Sequence, residues 1–306
     1  MKKIKLVYIT MSFAFILLLT TSLVSAGLID WFKEKVRLAP PPASTDVRLK
    51  VNDPPTIVSI DTTFSPVTLT AGTTKDITFQ FTAQDLDGAS DLNDAAATAS
   101  FSKTGEATRS DPLCTRILET LPNQRTYSCT ITMQYFDDNG IWDITVNIQD
   151  LSAITGIGAS TFAVNLLRDI TLSPPTVNYP TVVQGQTNTL SSANTQITND
   201  GNFNTPTDGS IAITASNLIG ETNPAENIPA ANFRAGDISE VVTVCTTGGA
   251  SLATTPVSIP SINLPKGIPG SNVGEITYCL TLVPLAISSQ FYSTLPPGGT
   301  PWTIGI

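Results

Sequence analysis

Apolar and polar side chains alternate with a period of two along most of the chain after Asp53. Ile77, Phe79 and Phe81 fall on one side of a run whose other side is Thr78, Gln80 and Thr82, the pattern of a half-buried strand. "TIVSI" (56–60), "VTLTA" (67–71), "DITFQFTAQ" (76–84), "ATASFSK" (97–103), "TYSCTITMQY" (126–135), "IWDITVNIQ" (141–149) and "STFAVNLL" (160–167) share it, with Pro, Gly, Asn and Asp between them. That rhythm predicts an antiparallel β-sandwich. Strands buried on both faces of a parallel sheet would read as unbroken apolar runs instead. In the second half, "TQITND" (195–200), "SIAITASNL" (210–218), "SEVVTVCTT" (239–247), "GEITYCLTLV" (274–283) and "WTIGI" (302–306) are the clearest strand-like runs.

The first fifty residues follow other patterns. Lys2, Lys3 and Lys5 precede an uncharged stretch with the apolar core "FAFILLL" (13–19) and the small-residue end Val24-Ser25-Ala26, which reads as a secretory signal cut after Ala26. The alternative is an uncleaved N-terminal anchor, because no charge occurs from Leu6 to Ile29, a length that spans a bilayer. Both readings put the remaining chain outside the cytoplasm, extracellular or on the cell surface. Leu28, Ile29, Phe32 and Val36 share one helical face until Pro40-Pro41-Pro42 ends it. The predicted organisation is a signal or anchor over 1–26, a stem or linker over 27–52, one β-sandwich over 53–168 and a second over 169–306.

An internal repeat suggests that the halves are related. Gly72-Thr73-Thr74-Lys75-Asp76-Ile77 matches Gly185-Gln186-Thr187-Asn188-Thr189-Leu190, and Asp87-Gly88 matches Asp200-Gly201 at the same spacing. "PPTI" (54–57) is echoed by "PPTV" (174–177) at a different spacing. The repeated Asp-Gly pair is expected to make a turn, with Gly supplying positive φ.

Charge and composition narrow the function. There are 16 Lys and Arg against 25 Asp and Glu; without residues 1–26 the balance is 13 against 25, a net charge of −12. Such a surface repels phosphate, and no basic patch with interleaved aromatics is present, so no nucleic-acid partner is expected. The chain has no histidine, which excludes Ser-His-Asp and Cys-His catalysis and histidine metal ligands. No nucleophile elbow, P-loop or dinucleotide fingerprint occurs. The four cysteines of an exported chain are expected as two structural disulfides. Of three connectivities, the sequence-local one, Cys114 with Cys129 across the turn "LPNQ" and Cys245 with Cys279, is the simplest.

The stretch "FTAQDLDGASDLND" (81–94) holds four aspartates in ten residues. Setting Gly88 at position six of a helix-loop-helix calcium loop puts Ala83 at its first ligand position and Asp94 at its twelfth, so that motif fails. A looser calcium site remains: Asp150 in "QDL" (149–151) ends a later strand, and if both strands end at one pole it approaches Asp85 and Asp87. Asp85, Asp87, Asp91, Asp94 and Asp150 are therefore the calcium candidates, against a solvated acidic loop. No other cofactor is expected.

Asp85-Leu86-Asp87-Gly88 at the end of one strand, and Gly140-Ile141-Trp142 through Asp150 in another, are similar to the immunoglobulin-like and cadherin/PKD-like repeats of prokaryotic, particularly archaeal, cell-surface proteins. The resemblance covers mainly 53–167; the Trp-Asp-Phe-Gly-Asp-Gly-like strand of the PKD subgroup is absent. It implies an all-β fold of two tandem immunoglobulin-like antiparallel sandwiches and an extracellular scaffold or binding module. The expected function is a secreted or cell-surface structural or adhesive module without catalysis, with other surface proteins or glycans as partners and membrane attachment only through an uncleaved N-terminal segment. The alternative is an extracellular, carboxylate-dependent, glycan-directed hydrolase.

Overall fold

The computed structural model describes residues 45–306; the signal or anchor segment and the apolar face of the stem lie outside the described residues. It divides into a unit ending at Val51 and a unit from Asn52 to Ile306. Of the first, residues 45–51 are exposed and in no sheet.

The larger unit begins with two facing four-stranded sheets. β1 (Thr56–Ile60), β2 (Lys75–Gln84), β5 (Thr115–Leu121) and β6 (Gln124–Met133) form one in the order β1-β2-β6-β5. β3 (Leu92–Ser102), β4 (Arg109–Asp111), β7 (Gly140–Asp150) and β8 (Thr155–Val164) form the other in the order β4-β3-β7-β8. After β1 the chain crosses between sheets, and Val67 makes a parallel bridge to Val164 of β8. This is immunoglobulin-type connectivity, with one strand pairing first in one sheet and then in the other. Period-two alternation does what it promised: Ile77, Phe79, Phe81 and Ala83 of β2 are buried, and their neighbours face outward. Phe64, Phe79, Phe101 and Phe162 cluster between the layers with ring centroids 4.5–6.4 Å apart. Trp142 is wholly buried and donates its indole N–H to the Asp138 carbonyl at 2.8 Å.

The second half is built from shorter pieces. β9 (Ile170–Ser173), β10 (Thr187–Leu190), β11 (Thr195–Asn199), β12 (Ala212–Thr214), β13 (Leu218–Gly220), β14 (Asn227–Ile228), β15 (Phe233–Asp237), β16 (Ala250–Ser251), β17 (Val257–Ser258), β18 (Val273–Leu282), β19 (Tyr292–Ser293) and β20 (Thr303–Gly305) follow in order. One sheet runs β16-β15-β18-β11-β9, with β10 also on β18; β17-β12-β20 and β14-β13-β19 are two short three-stranded sheets. Its core includes Ile197, Ile213, Phe233, Ile276 and Tyr278 and is separate from that of the first half.

The two halves share the order of one sheet. β9, β10/β11, β18 and β15 neighbour one another as β1, β2, β6 and β5 do. Gly72 and Gly185, with φ of 64° and 75°, stand just before β2 and β10. The strand β10/β11 is broken where residues 191–194 face only Thr277 and Tyr278 of β18, a bulge that adds two residues.

Several expectations are corrected. "PPTI" opens β1 whereas "PPTV" follows β9, so that echo has no structural counterpart. Gly88 does adopt positive φ (116°), but Gly201 does not; a Cβ there would lie 2.1 Å from the Leu167 carbonyl oxygen. The second Asp-Gly is thus a close backbone approach, not the same turn. "SEVVTVCTT" is not a strand. Asp237 accepts from the Ser239 amide while Glu240 accepts from the Asp237 amide, a capping box that turns 238–247 into helical turns despite its valines. "VTLTA" is reduced to the bridge at Val67. The cysteine expectation holds, with Cys114 bonded to Cys129 and Cys245 to Cys279.

Polar contacts join the halves. Asn202 is wholly buried; its amide donates to the carbonyls of Asp137 (3.0 Å) and Asn165 (3.1 Å), and its oxygen accepts from the Leu167 amide (2.6 Å). Lys266 pairs with Glu106 and with Asp138 (3.2 Å), and Tyr135 donates to the Gly267 carbonyl (3.0 Å). Asn202→Ala removes three hydrogen bonds between a wholly buried side chain and the backbone of the first half and the junction, and a loss of about 2–3 kcal/mol is expected in urea unfolding. A loss below about 0.5 kcal/mol contradicts this reading of the junction.

Candidate functional site

β2 and β7 end at the same pole of the first sandwich. From β2 the chain turns through Asp85, Asp87 and Asp91 into β3; from β7 it turns at Asp150 into β8. Leu92, the first residue of β3, pairs with Asp150, which draws the two turns together. One carboxylate oxygen from each of Asp85, Asp91 and Asp150 lies within 4.8 Å of the other two. Asp85 and Asp150 have no exposed surface, and Asp91 is half-buried.

The hydrogen bonds leave this cluster incomplete. Asp150 accepts from the Ile154 amide (2.8 Å) on Oδ1 and from the Asn52 side chain (2.6 Å) on Oδ2. Asp85 accepts from the Asp87 amide (2.8 Å) on Oδ1. The Oδ2 atoms of Asp85 and Asp91 are buried without any hydrogen-bond partner. Burial pushes the Asp85 carboxyl up; the Asp87 amide opposes that, and the charges of Asp91, Asp87 and Asp150 push it further up.

A simple magnitude shows the problem. Two unit charges 4.8 Å apart repel by roughly 3 kcal/mol at an effective dielectric constant of about 20. Three ionised carboxylates here therefore need either a proton or a cation. Hard divalent cations with oxygen ligands suit this donor set, calcium above all, since it accepts mixed carboxylate and carbonyl shells.

Each candidate from the sequence has a definite place. Asp85, Asp91 and Asp150 come together. Asp87 stands beside them outside the trio, its Oδ2 accepting from the Asp53 amide at 2.8 Å. Asp94 is a correction: it pairs with Arg125 (3.1 Å) and Arg116 (3.3 Å) and accepts from the Tyr127 hydroxyl (2.8 Å). The pairing of β3 with β7 shifts between Asn93 and Thr98, and that bulge carries Asp94 to the β5–β6 side. Asn52 was missed, since a single Asn beside a proline pair carries no sequence signal. A second group, Asp111 with Cys114 and Cys129, offers no thiolate because those cysteines are bonded to each other.

Another acidic residue, Asp137 between β6 and β7, is wholly buried and held by Arg109 through Nε at 3.0 Å. The connection from β6 to β7 is thus also an ion-pair anchor.

No family model and no curated protein matches the chain. Among solved structures, a tetra-tandem repeat from the extending region of a large adhesion protein is 12% identical, with a TM-score of 0.28, over 76% of this chain and 40% of that one. The secreted serine protease VesC from Vibrio cholerae is 7% identical, with a TM-score of 0.20, over 74% of this chain and 46% of that one. The chain spans less than half the length of either, and the reading of the fold rests on strand order instead.

Proposed function

We propose that this chain is a non-catalytic structural or adhesive module of the cell exterior, binding surface proteins or glycans, whose first sandwich is locked by one calcium ion at the Asp85–Asp91–Asp150 pole. The observation that carries the reading is the pair of buried, unpartnered Oδ2 atoms of Asp85 and Asp91 facing a third buried carboxylate. A cation there ties the β2–β3 turn to the β7–β8 turn and to Asn52, where the chain enters the sandwich. Extracellular calcium modules work at 10⁻⁴–10⁻³ M, a range that keeps such a lock closed outside the cell and open in the cytoplasm. The hydrolase alternative is disfavoured at these residues, because Asp85 and Asp150 expose no surface to a glycan.

Isothermal titration of the disulfide-intact chain tests the site. One calcium per chain is expected, with Asp91→Asn weakening binding at least tenfold and Asp94→Asn leaving it unchanged. Absence of calcium heat at millimolar concentration, or equal weakening by Asp94→Asn, overturns the assignment.

A further inference from the structure

The chain enters and leaves the first sandwich at opposite poles. Thr56, which opens β1, pairs with Gln84 at the acidic end of β2, so β1 runs away from that pole. β8 runs the same way: Thr155 pairs with Gln149 beside the acidic pole, and Val164 pairs with Gly140 at the far one. The chain then leaves through Asn165 and Leu167, whose backbone Asn202 of the second half holds.

Entry and exit segments also touch. Gly156 and Gly158 of β8 lie against β1, where a Cβ would stand 2.2 Å from the Pro55 carbonyl oxygen and 2.6 Å from the Ile57 side chain. Past β1, the segment 65–68 meets the end of β8 in parallel. Among the described residues, four hydrogen bonds join the two. The Val67 amide donates to the Ala163 carbonyl (2.8 Å), and the Asn165 amide donates to the Val67 carbonyl (2.7 Å). Flanking these, the Ala163 amide donates to Ser65 Oγ (3.1 Å) and Asn165 Nδ2 donates to Thr68 Oγ1 (2.8 Å).

This arrangement decides how a pull on the chain is resisted. Force applied through Asn52 draws β1 and the segment behind it toward the acidic pole, and force through Asn165 draws β8 toward the other. Parallel neighbours pulled from opposite ends slide along each other, so their hydrogen bonds carry the force together and break in one step. Antiparallel neighbours pulled apart by their two free ends would peel instead, one bond at a time. Forced unfolding follows the unfolding rate, and several bonds that must break together make a higher barrier than the same bonds broken in turn.

We infer that the first sandwich is a tension-bearing element whose mechanical resistance resides in the contact of 65–68 with 163–165, where the side chains of Ser65 and Asn165 double the two backbone bonds. The inference rests on the structural or adhesive reading above, because only a chain held on both sides feels such a pull. It needs no calcium.

The test holds the disulfide-intact chain by tags at its two ends, under constant force, in chelator and without any binding partner. Failure here is therefore a separate result from failure of calcium binding or of adhesion. Ser65→Ala combined with Asn165→Ala should unfold at least tenfold faster than wild type at the same force, and each single variant should fall between. The control, Thr78→Ala with Thr130→Ala, removes the 2.9 Å hydroxyl pair between β2 and β6, away from the contact, and should keep the wild-type rate. In urea without force, the two double variants should unfold at similar rates. A wild-type rate under force in the Ser65/Asn165 variants, or equal acceleration by the control, overturns the inference. So does the same tenfold gap between the two double variants in urea without force.

Discussion

Calcium is expected to raise the melting temperature of the disulfide-intact chain by about 5–10 °C, and Asp85→Asn to abolish that rise. A ligand at about 100 times its dissociation constant stabilises the folded state by about 2.7 kcal/mol, and for a unit of this size each kcal/mol moves the midpoint by about 2–4 °C. In chelator the same substitution has the opposite sign. The folded-state pKa of Asp85 is raised by burial and by its acidic neighbours, so its contribution to stability is full below the ordinary value of 3.8 and is lost as pH rises through the folded value. At neutral pH without calcium the charged form is therefore a liability, and Asp85→Asn should stabilise. Urea midpoints in chelator, measured for wild type and Asp85→Asn from acid to neutral pH, should diverge in favour of the variant as pH rises. Parallel curves contradict this account of Asp85.

Loss of the Cys245–Cys279 disulfide is expected to cost about 4 kcal/mol, and loss of Cys114–Cys129 about 3 kcal/mol. The loops closed span 34 and 15 residues, and stabilisation grows slowly with loop length. The first also holds the helical turns 238–247 against β18, where Val244 is buried. The double variant Cys245→Ala/Cys279→Ala should lower the melting temperature by about 8–15 °C and open that segment to protease before the rest. Protection of 238–247 equal to wild type contradicts the role given to this bridge.

The first sandwich was readable because its strands are long and half-buried: β2 and β7 show the alternation over ten or eleven residues, and β6 from Tyr127 to Met133. The second was harder for physical reasons that can be named. The bulge at 191–194 splits one strand, and pieces of two or three residues such as β14 and β19 are too short to show any period. Local capping by Asp237 and Glu240 outweighed the strand preference of Val241, Val242 and Val244, whereas "FRAGD" (233–237) forms a strand that tertiary pairing with β18 imposes. At the pole, the convergence of Asp85 and Asp150 followed from two strands ending on one side. The departure of Asp94 did not, because a bulge in β3 leaves no mark in the pattern of apolar positions.

The most direct measurement of the central claim is the anomalous diffraction of crystals grown with calcium at pH 7. The account predicts one peak between Asp85, Asp91 and Asp150, at about 2.3–2.6 Å from the Oδ2 atoms of Asp85 and Asp91, the distance calcium keeps from its oxygen ligands. A map with no peak there, and with Asp85 hydrogen-bonded as a neutral acid to Asp91, would contradict it.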